Sequence, residues 1–137
     1  MPIQLGFLNE GLGVIYRCEG ALSLQHFSVA NDRLLASPGR IRKLKYILVD
    51  AASMEPTFFS PSEMDGIVLQ DRQIASYAVP GLLVALVAER NIVFALARMW
   101  EAFIEGIGWE TNIFPSIAET QEWVRIRVKE KFQLELS

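Results

Sequence analysis

The sequence contains one cysteine and one histidine in 137 residues, and this scarcity limits the chemistry open to the chain. The single cysteine, Cys18, cannot form an internal disulfide, which is typical of proteins from a reducing compartment. With His26 as the only imidazole, a zinc site would need several clustered carboxylates, and the sequence shows no such cluster. We therefore expect no metal and no other cofactor, and nothing in the sequence brings Cys18 and His26 together as a catalytic pair.

The chain also lacks an excess of positive charge, a long apolar segment and an N-terminal targeting pattern. Thirteen Lys and Arg against sixteen Asp and Glu give a net charge of −3, which argues against nucleic-acid binding. The longest apolar run, residues 79–88, has the length of a buried strand and falls short of the ~18 residues of a membrane span. We expect a cytoplasmic protein without stable membrane insertion.

Apolar character is what the sequence has in surplus. Hydrophobic residues make up 51% of the chain, and the mean hydropathy is +0.24. The length is that of one ordinary domain, and without repeats, low-complexity tracts or linkers we treat residues 1–137 as a single domain. The surplus has to lie in an unusually apolar core, a self-association surface or a ligand cavity.

Residues 82–106 form the unit around which the chain is organised. An apolar run stops at residues 89–91, and apolar side chains then recur at helical spacing through Ile92, Leu96, Met99 and Phe103. A buried strand that leads directly into an amphipathic helix is the core unit of an α/β domain.

The first half of the chain predicts a hairpin, a helix and a strand. Residues 3–8 and 12–19 flank a glycine-bearing turn, which favours two antiparallel strands. A helix is expected from the cap at Ser23 to about residue 37, followed by a basic connection over 40–45. Residues 46–50 then read as a buried strand that ends at Asp50, and residues 51–60 as a loop.

The second half predicts three helices and two strands. Ser60 and Glu63 form a capping box, and the helix that follows carries an apolar stripe in which Asp71 is included, to about residue 77. A second capping box at Ser116 and Glu119 begins the last helix, after a short strand over 111–114. Residues 124–137 fit both a helix and a strand, and we favour a helix to about Lys131. The chain thus predicts an α/β fold with a small mixed, mostly parallel sheet, an N-terminal antiparallel hairpin and about four helices.

Three segments resemble the bacterial SpoIIAA-like family, also called STAS-like or STAS/Sec14-like: YILVD at 46–50, VALVAERNIVFALARMWEAF at 84–103 and NIFPSIAETQEWV at 112–124. The resemblance covers roughly residues 13–124 and implies a β-α superhelix. In the anti-sigma-antagonist relatives, a serine at the start of the second helix, within an Asp-Ser-Ser-Gly pattern, is phosphorylated by a partner kinase. The matching region here is 59–63, which places Ser60 and Ser62 near that serine, although the Asp-Ser-Ser-Gly pattern is missing.

Three polar residues are candidates for a switch or a partner surface. Ser60 and Ser62 precede or begin a helix, where a phosphate would be favoured, but a hydroxyl that simply caps the helix is the commoner situation. Asp50 follows a strand on the side where open parallel sheets bind ligands, although a lone carboxylate more often forms a turn.

An apolar cluster is predicted in the loop, at Met54, Phe58 and Phe59. Loops are normally solvated, so these side chains need cover. They either fold onto the core, form a patch for a dimer or partner, or line the edge of a lipid-sized cavity.

Two functions follow from these patterns. The leading hypothesis is a non-enzymatic, STAS-like regulatory or protein-interaction module in signalling, which forms a homodimer and contacts a protein partner. The alternative is a carrier or sensor of a lipid or another small apolar ligand, in line with the Sec14-like side of the resemblance. An enzyme would need catalytic groups that the sequence does not assemble.

Overall fold

The computed structural model describes residues 2–57 and 59–136. Five strands form one sheet in which spatial order follows chain order. They are β1 (Ile3–Leu8), β2 (Gly13–Leu22), β3 (Tyr46–Pro56), β4 (Leu83–Val87) and β5 (Glu110–Phe114). β1 pairs with β2 antiparallel, and every other neighbouring pair is parallel, so the predicted mixed sheet with an N-terminal hairpin is confirmed.

Helices cover both faces of this sheet. They are α1 (Leu24–Leu35), α2 (Pro38–Lys43), α3 (Pro61–Tyr77), α4 (Asn91–Phe103) and α5 (Ile117–Phe132). Within β4, Val84 packs into the core shared with α1 to α4, whereas its neighbour Ala85 packs into the core under α5. Because successive side chains point to opposite faces, a strand covered on both sides reads as one continuous apolar run.

The hairpin turn brings β1, β2 and β3 into close contact. Residues Asn9–Gly11 form one 3-10 turn between β1 and β2. The first residue of β2, Gly13, lies directly against the Tyr46 ring, where an added Cβ would overlap the ring. The Tyr46 hydroxyl donates a hydrogen bond to Asn9 Oδ1, which holds the ring in this position.

The prediction of a loop over residues 51–60 is wrong for 51–56, because β3 continues to Pro56. Its register with β2 shifts between Arg17 and Glu19, where β3 contains one extra residue, as in a β-bulge. Beyond the bulge, residues 19–22 of β2 pair with residues 53–56 of β3. We call this two-stranded extension the β2–β3 ribbon.

The helix prediction is corrected at one point and confirmed at another. Residues 38–43 form α2, although residues 40–45 were expected to be a basic connection, so the described residues hold five α-helices rather than about four. Pro38 occupies the first turn, where its missing N–H costs nothing, and the buried Ile41 fixes the helix to the core. At the C-terminus the helical prediction is confirmed, since α5 ends at Phe132 and Gln133 adopts the left-handed conformation of a helix end.

Candidate functional site

A cavity of about 110 Å³ lies between the sheet and α1, α3 and α4. Its walls are aliphatic and aromatic side chains, with a short polar section at Tyr16, Asn31 and Asp71. Ligand pockets usually measure about 300 to 1,000 Å³, whereas a dry cavity of about 150 Å³ is known to hold benzene. The cavity therefore has the size of a small apolar molecule rather than that of a lipid.

Several of the side chains that line the cavity are half-buried, so the cavity is not fully enclosed. Val49 and Leu86 face each other across β3 and β4, near the carboxyl end of β4, and both line the cavity while remaining partly exposed. Leu96 of α4 and Phe59, just before α3, are also half-buried lining residues. The pair of Val49 and Leu86 lies near the carboxyl end of β4, the side on which ligands commonly bind in open α/β sheets.

The polar section of the cavity is a hydrogen-bonded group that we call the Asp71 network. The Tyr16 hydroxyl of β2 donates to Asn31 Oδ1 of α1 at 2.8 Å. The Asn31 amide nitrogen lies 3.4 Å from Asp71 Oδ1, and the indole N–H of Trp100 in α4 donates to Asp71 Oδ2 at 2.8 Å. Four elements thus converge on one carboxyl group that is only 6% exposed.

Burial controls the ionisation of this network. It raises the pKa of Asp71 to about 7, and the hydrogen bonds from Trp100 and Asn31 oppose this rise without cancelling it. Burial also raises the pKa of Tyr16 above its ordinary value, helped by the charge of Asp71. None of the ion pairs in residues 2–57 and 59–136 involves Asp71. The carboxylate is therefore solvated by neutral donors alone.

The sequence contained a signal for Asp71 but none for its partners. Asp71 occupies a core position in the apolar stripe of α3, between the buried Ile67 and Ile74. A carboxylate at such a position is unusual, because charged groups are rarely fully buried. Its partners Asn31 and Trp100 lie 40 and 29 residues away along the chain, so only the folded arrangement reveals the network.

Ser60 is a helix cap. Its hydroxyl oxygen accepts a hydrogen bond from the Glu63 backbone N–H at 3.2 Å and lies 3.1 Å from Glu63 Oε1. Ser62 lies in the first turn of α3, is exposed, and has its hydroxyl 3.3 Å from that of Ser60. This geometry fits the interpretation that the Ser60 hydroxyl caps α3. Phosphorylation of Ser60 or Ser62 stays a prediction.

The structure separates the remaining predicted residues. Asp50 does not end a strand, because β3 continues past it; its Oδ1 accepts from the Ala52 backbone N–H at 3.2 Å. Met54 does not lie in a loop but in β3, where it is 3% exposed and lines the cavity together with Phe59. Phe58 lies outside the described residues.

The described residues contain neither a cluster of metal-ligand side chains nor a membrane-spanning helix. None of their His, Cys, Asp and Glu side chains form a group of three or more placed to hold a metal ion. None of their helices is both long and apolar enough to cross a bilayer. Cys18 is buried, which raises the pKa of its thiol to about 12, while His26 accepts the Ser23 backbone N–H and so caps α1.

This order of strands and helices is the SpoIIAA-like fold. It is shared with the anti-sigma factor antagonist SpoIIAA in its unphosphorylated form, at a TM-score of 0.56 and 14% identity over 91% of this chain and 97% of that one. It is shared also with an uncharacterised DUF3478-family protein of Shewanella loihica, at a TM-score of 0.53 and 14% identity over 89% of this chain and 91% of that one. No family model and no curated protein sequence matches the chain. The SpoIIAA-like architecture expected from residues 46–50, 84–103 and 112–124 is confirmed.

Proposed function

We propose that the protein is a non-catalytic regulatory module that acts through protein contacts and forms a homodimer through α4. One solved structure with this fold is described as an anti-sigma factor antagonist, a regulatory role. The observation that carries the proposal is the apolar outer surface of α4. On this surface Ile92 is 54% exposed, Ala95 and Ala102 are exposed beside it, and contiguous exposed apolar patches often mark interaction sites.

The outer surface of α4 has the shape of a helix-packing face. Ile92, Ala95, Met99 and Ala102 follow one another at spacings of three and four residues, so they lie on one side of the helix. We call them the α4 stripe. Ala95 and Ala102 are exposed and small, and small side chains at a contact allow two helices to approach closely.

The charges at the two ends of α4 favour a second copy of the chain as the occupant. The last turn of α4 holds no basic residue, although the negative end of a helix dipole prefers a cation; Glu101 in this turn is 16% exposed and pairs with Arg98 at 3.2 Å, so the uncompensated charge here is that of the helix dipole. Arg90 stands at the opposite end, with its side chain 54% exposed. In a two-fold symmetric dimer whose α4 helices pack antiparallel, the C-terminal end of each α4, which carries Glu101, lies beside the positive N-terminal end of the partner's α4.

The substitution Ala95→Glu tests this interface. It places a charge in the middle of the α4 stripe and keeps a good helix former, so we expect a folded monomer. Light scattering after gel filtration, over a concentration series, measures the mass. Ile126→Glu is the matched control, because Ile126 is 41% exposed on α5, on the other face of the sheet. A monomeric parent chain, or an Ala95→Glu variant that remains dimeric, would contradict the α4 dimer.

A phosphate switch at the start of α3 is the second part of this proposal. Ser62 is the better acceptor, because its hydroxyl is exposed whereas that of Ser60 is engaged with Glu63. A phosphate in the first turn would face the positive end of α3. Mass spectrometry of protein from its own host, with Ser62→Ala and Ser60→Ala variants beside it, would show which serine carries it. Loss of a phosphate on Ser60→Ala alone would contradict the assignment to Ser62.

A further inference from the structure

We propose that the cavity between the sheet and α1, α3 and α4 binds a small apolar amine, whose ammonium group pairs with Asp71. The hydrocarbon part of the ligand fills the apolar section of the cavity. The cavity lies against the inner side of α4, whereas the proposed dimer contact uses its outer side. The ligand proposal and the dimer proposal can therefore be tested independently.

The hydrogen bonds of the Asp71 network leave acceptors rather than donors for a ligand. The Trp100 N–H and the Asn31 amide are directed at the carboxyl group, and the Tyr16 O–H is directed at Asn31. Each carboxylate oxygen can accept about two hydrogen bonds, and each faces one protein donor, the Asn31 amide at Oδ1 and the Trp100 indole at Oδ2. The vacant acceptor positions therefore select a ligand that donates.

The charge of the site selects a cation among such donors. The side chains that face Asp71 are Tyr16 from β2, Asn31 from α1 and Trp100 from α4, and all three are neutral. A buried carboxylate without a cation is costly, and a bound ammonium group would compensate its charge. An alcohol would supply the donor without the charge, and a carboxylic acid would add a second anion.

The size of the cavity limits the rest of the ligand. A cavity of about 150 Å³ accommodates the six carbons of benzene, so 110 Å³ corresponds to about four to five heavy atoms. The walls at Phe27, Met64, Val84 and Leu96 carry no charge and favour a saturated chain. n-Butylamine has this size, and 1-butanol and butyrate differ from it mainly in the polar end.

The experiment measures binding of these three compounds to the full chain by calorimetry, and follows the indole N–H signal of Trp100 by NMR. We expect n-butylamine to bind and to shift that signal, since the indole donates to the same carboxyl group. We expect 1-butanol to bind at least about tenfold more weakly and butyrate not to bind. Equal binding of the amine and the alcohol, or no binding of the amine, would overturn the proposal.

Variants separate the site from general effects of charge. Asp71→Asn keeps the shape of the side chain, and we expect it to lose at least about tenfold in amine affinity while it retains the weak binding of 1-butanol. Asp65→Asn removes an exposed carboxylate from the same helix and should bind like the parent. Ala97→Leu adds volume to the cavity wall and should abolish binding of both compounds. Undiminished amine binding by a folded Asp71→Asn or Ala97→Leu variant would place the ligand elsewhere and refute the assignment.

Discussion

The substitution Asp71→Asn should change how the stability of the protein depends on pH. In the folded protein the pKa of Asp71 is about 7, against an ordinary value of 3.8. Because one pKa unit corresponds to about 1.4 kcal/mol, the buried carboxylate costs about 4 kcal/mol at high pH. The folded chain holds the proton to a higher pH than the unfolded chain does. The stability is therefore greatest below the ordinary pKa and declines as the pH rises toward 7.

The size of the effect can be stated for a practical pH range. Between pH 5 and pH 8 the ionisation of Asp71 should lower the free energy of unfolding of the parent chain by about 2.5 kcal/mol. The Asp71→Asn variant should lack this component, so the difference between the two chains should move in favour of the variant as the pH rises. Urea unfolding, followed by tryptophan fluorescence at several pH values, measures both curves.

Two features of the chain keep this experiment interpretable. The pKa of Glu110 is lowered to about 2 by the adjacent guanidinium of Arg127, so its titration is complete below the range used. Asp65→Asn is the matched control, because Asp65 is an exposed carboxylate on the same helix, and its curve should run parallel to that of the parent. Parallel curves for Asp71→Asn and the parent would refute the reasoning, since the buried carboxyl group would then not titrate in this range.

Three further predictions concern the frame around the site. Gly13→Ala should lower the free energy of unfolding by about 1 to 3 kcal/mol because the new methyl group meets the Tyr46 ring. Gly66→Ala, which places a methyl group in open space on α3, should raise the free energy of unfolding by about 0.5 to 1 kcal/mol. Urea unfolding measures both changes, and equal effects of the two substitutions would contradict both expectations. Ser60→Ala should cost about 1 kcal/mol through loss of the α3 cap, and an unchanged urea midpoint would exclude a stabilising cap. Ionised Glu110 should stabilise the fold above pH 4.5, and this stabilisation should be lost as the pH falls through about 2. The Glu110→Gln variant should lack this acid-dependent loss when acid unfolding is followed by circular dichroism. Coincident acid-unfolding curves for the variant and the parent would contradict this role of Glu110.

The elements that the sequence predicted well are those in which burial repeats with a clear period. Residues 82–106 read correctly as a strand followed by a helix because β4 is covered on both faces and α4 on one. The second half of β3 was missed because it lies beyond the central sheet, where Ser53 and Glu55 are exposed and only Met54 signals burial. The predicted strand over 12–19 stops before Gly20, whereas β2 continues through Gly20, which takes a positive φ of 76°, to Leu22.

The candidate site could be predicted only in part, for a different reason. Met54 and Phe59 were recognised as apolar side chains that need cover, and both line the cavity. The Asp71 network joins residues from β2, α1, α3 and α4, and a contact between such distant segments leaves no local periodicity. A single sequence can show that Asp71 is out of place in an apolar stripe, but it cannot show which groups solvate it.

The β2–β3 ribbon has a consequence for the order in which the structure opens. The pairing of β1 with β2 ends at Cys18, and the pairing of β4 with β3 ends at Asp50. Beyond these points each ribbon strand has its partner on one side only, so its amide protons should exchange with solvent earlier than those at the centre of the sheet. Because Met54 belongs both to the ribbon and to the cavity wall, a molecule held in the cavity should slow that exchange.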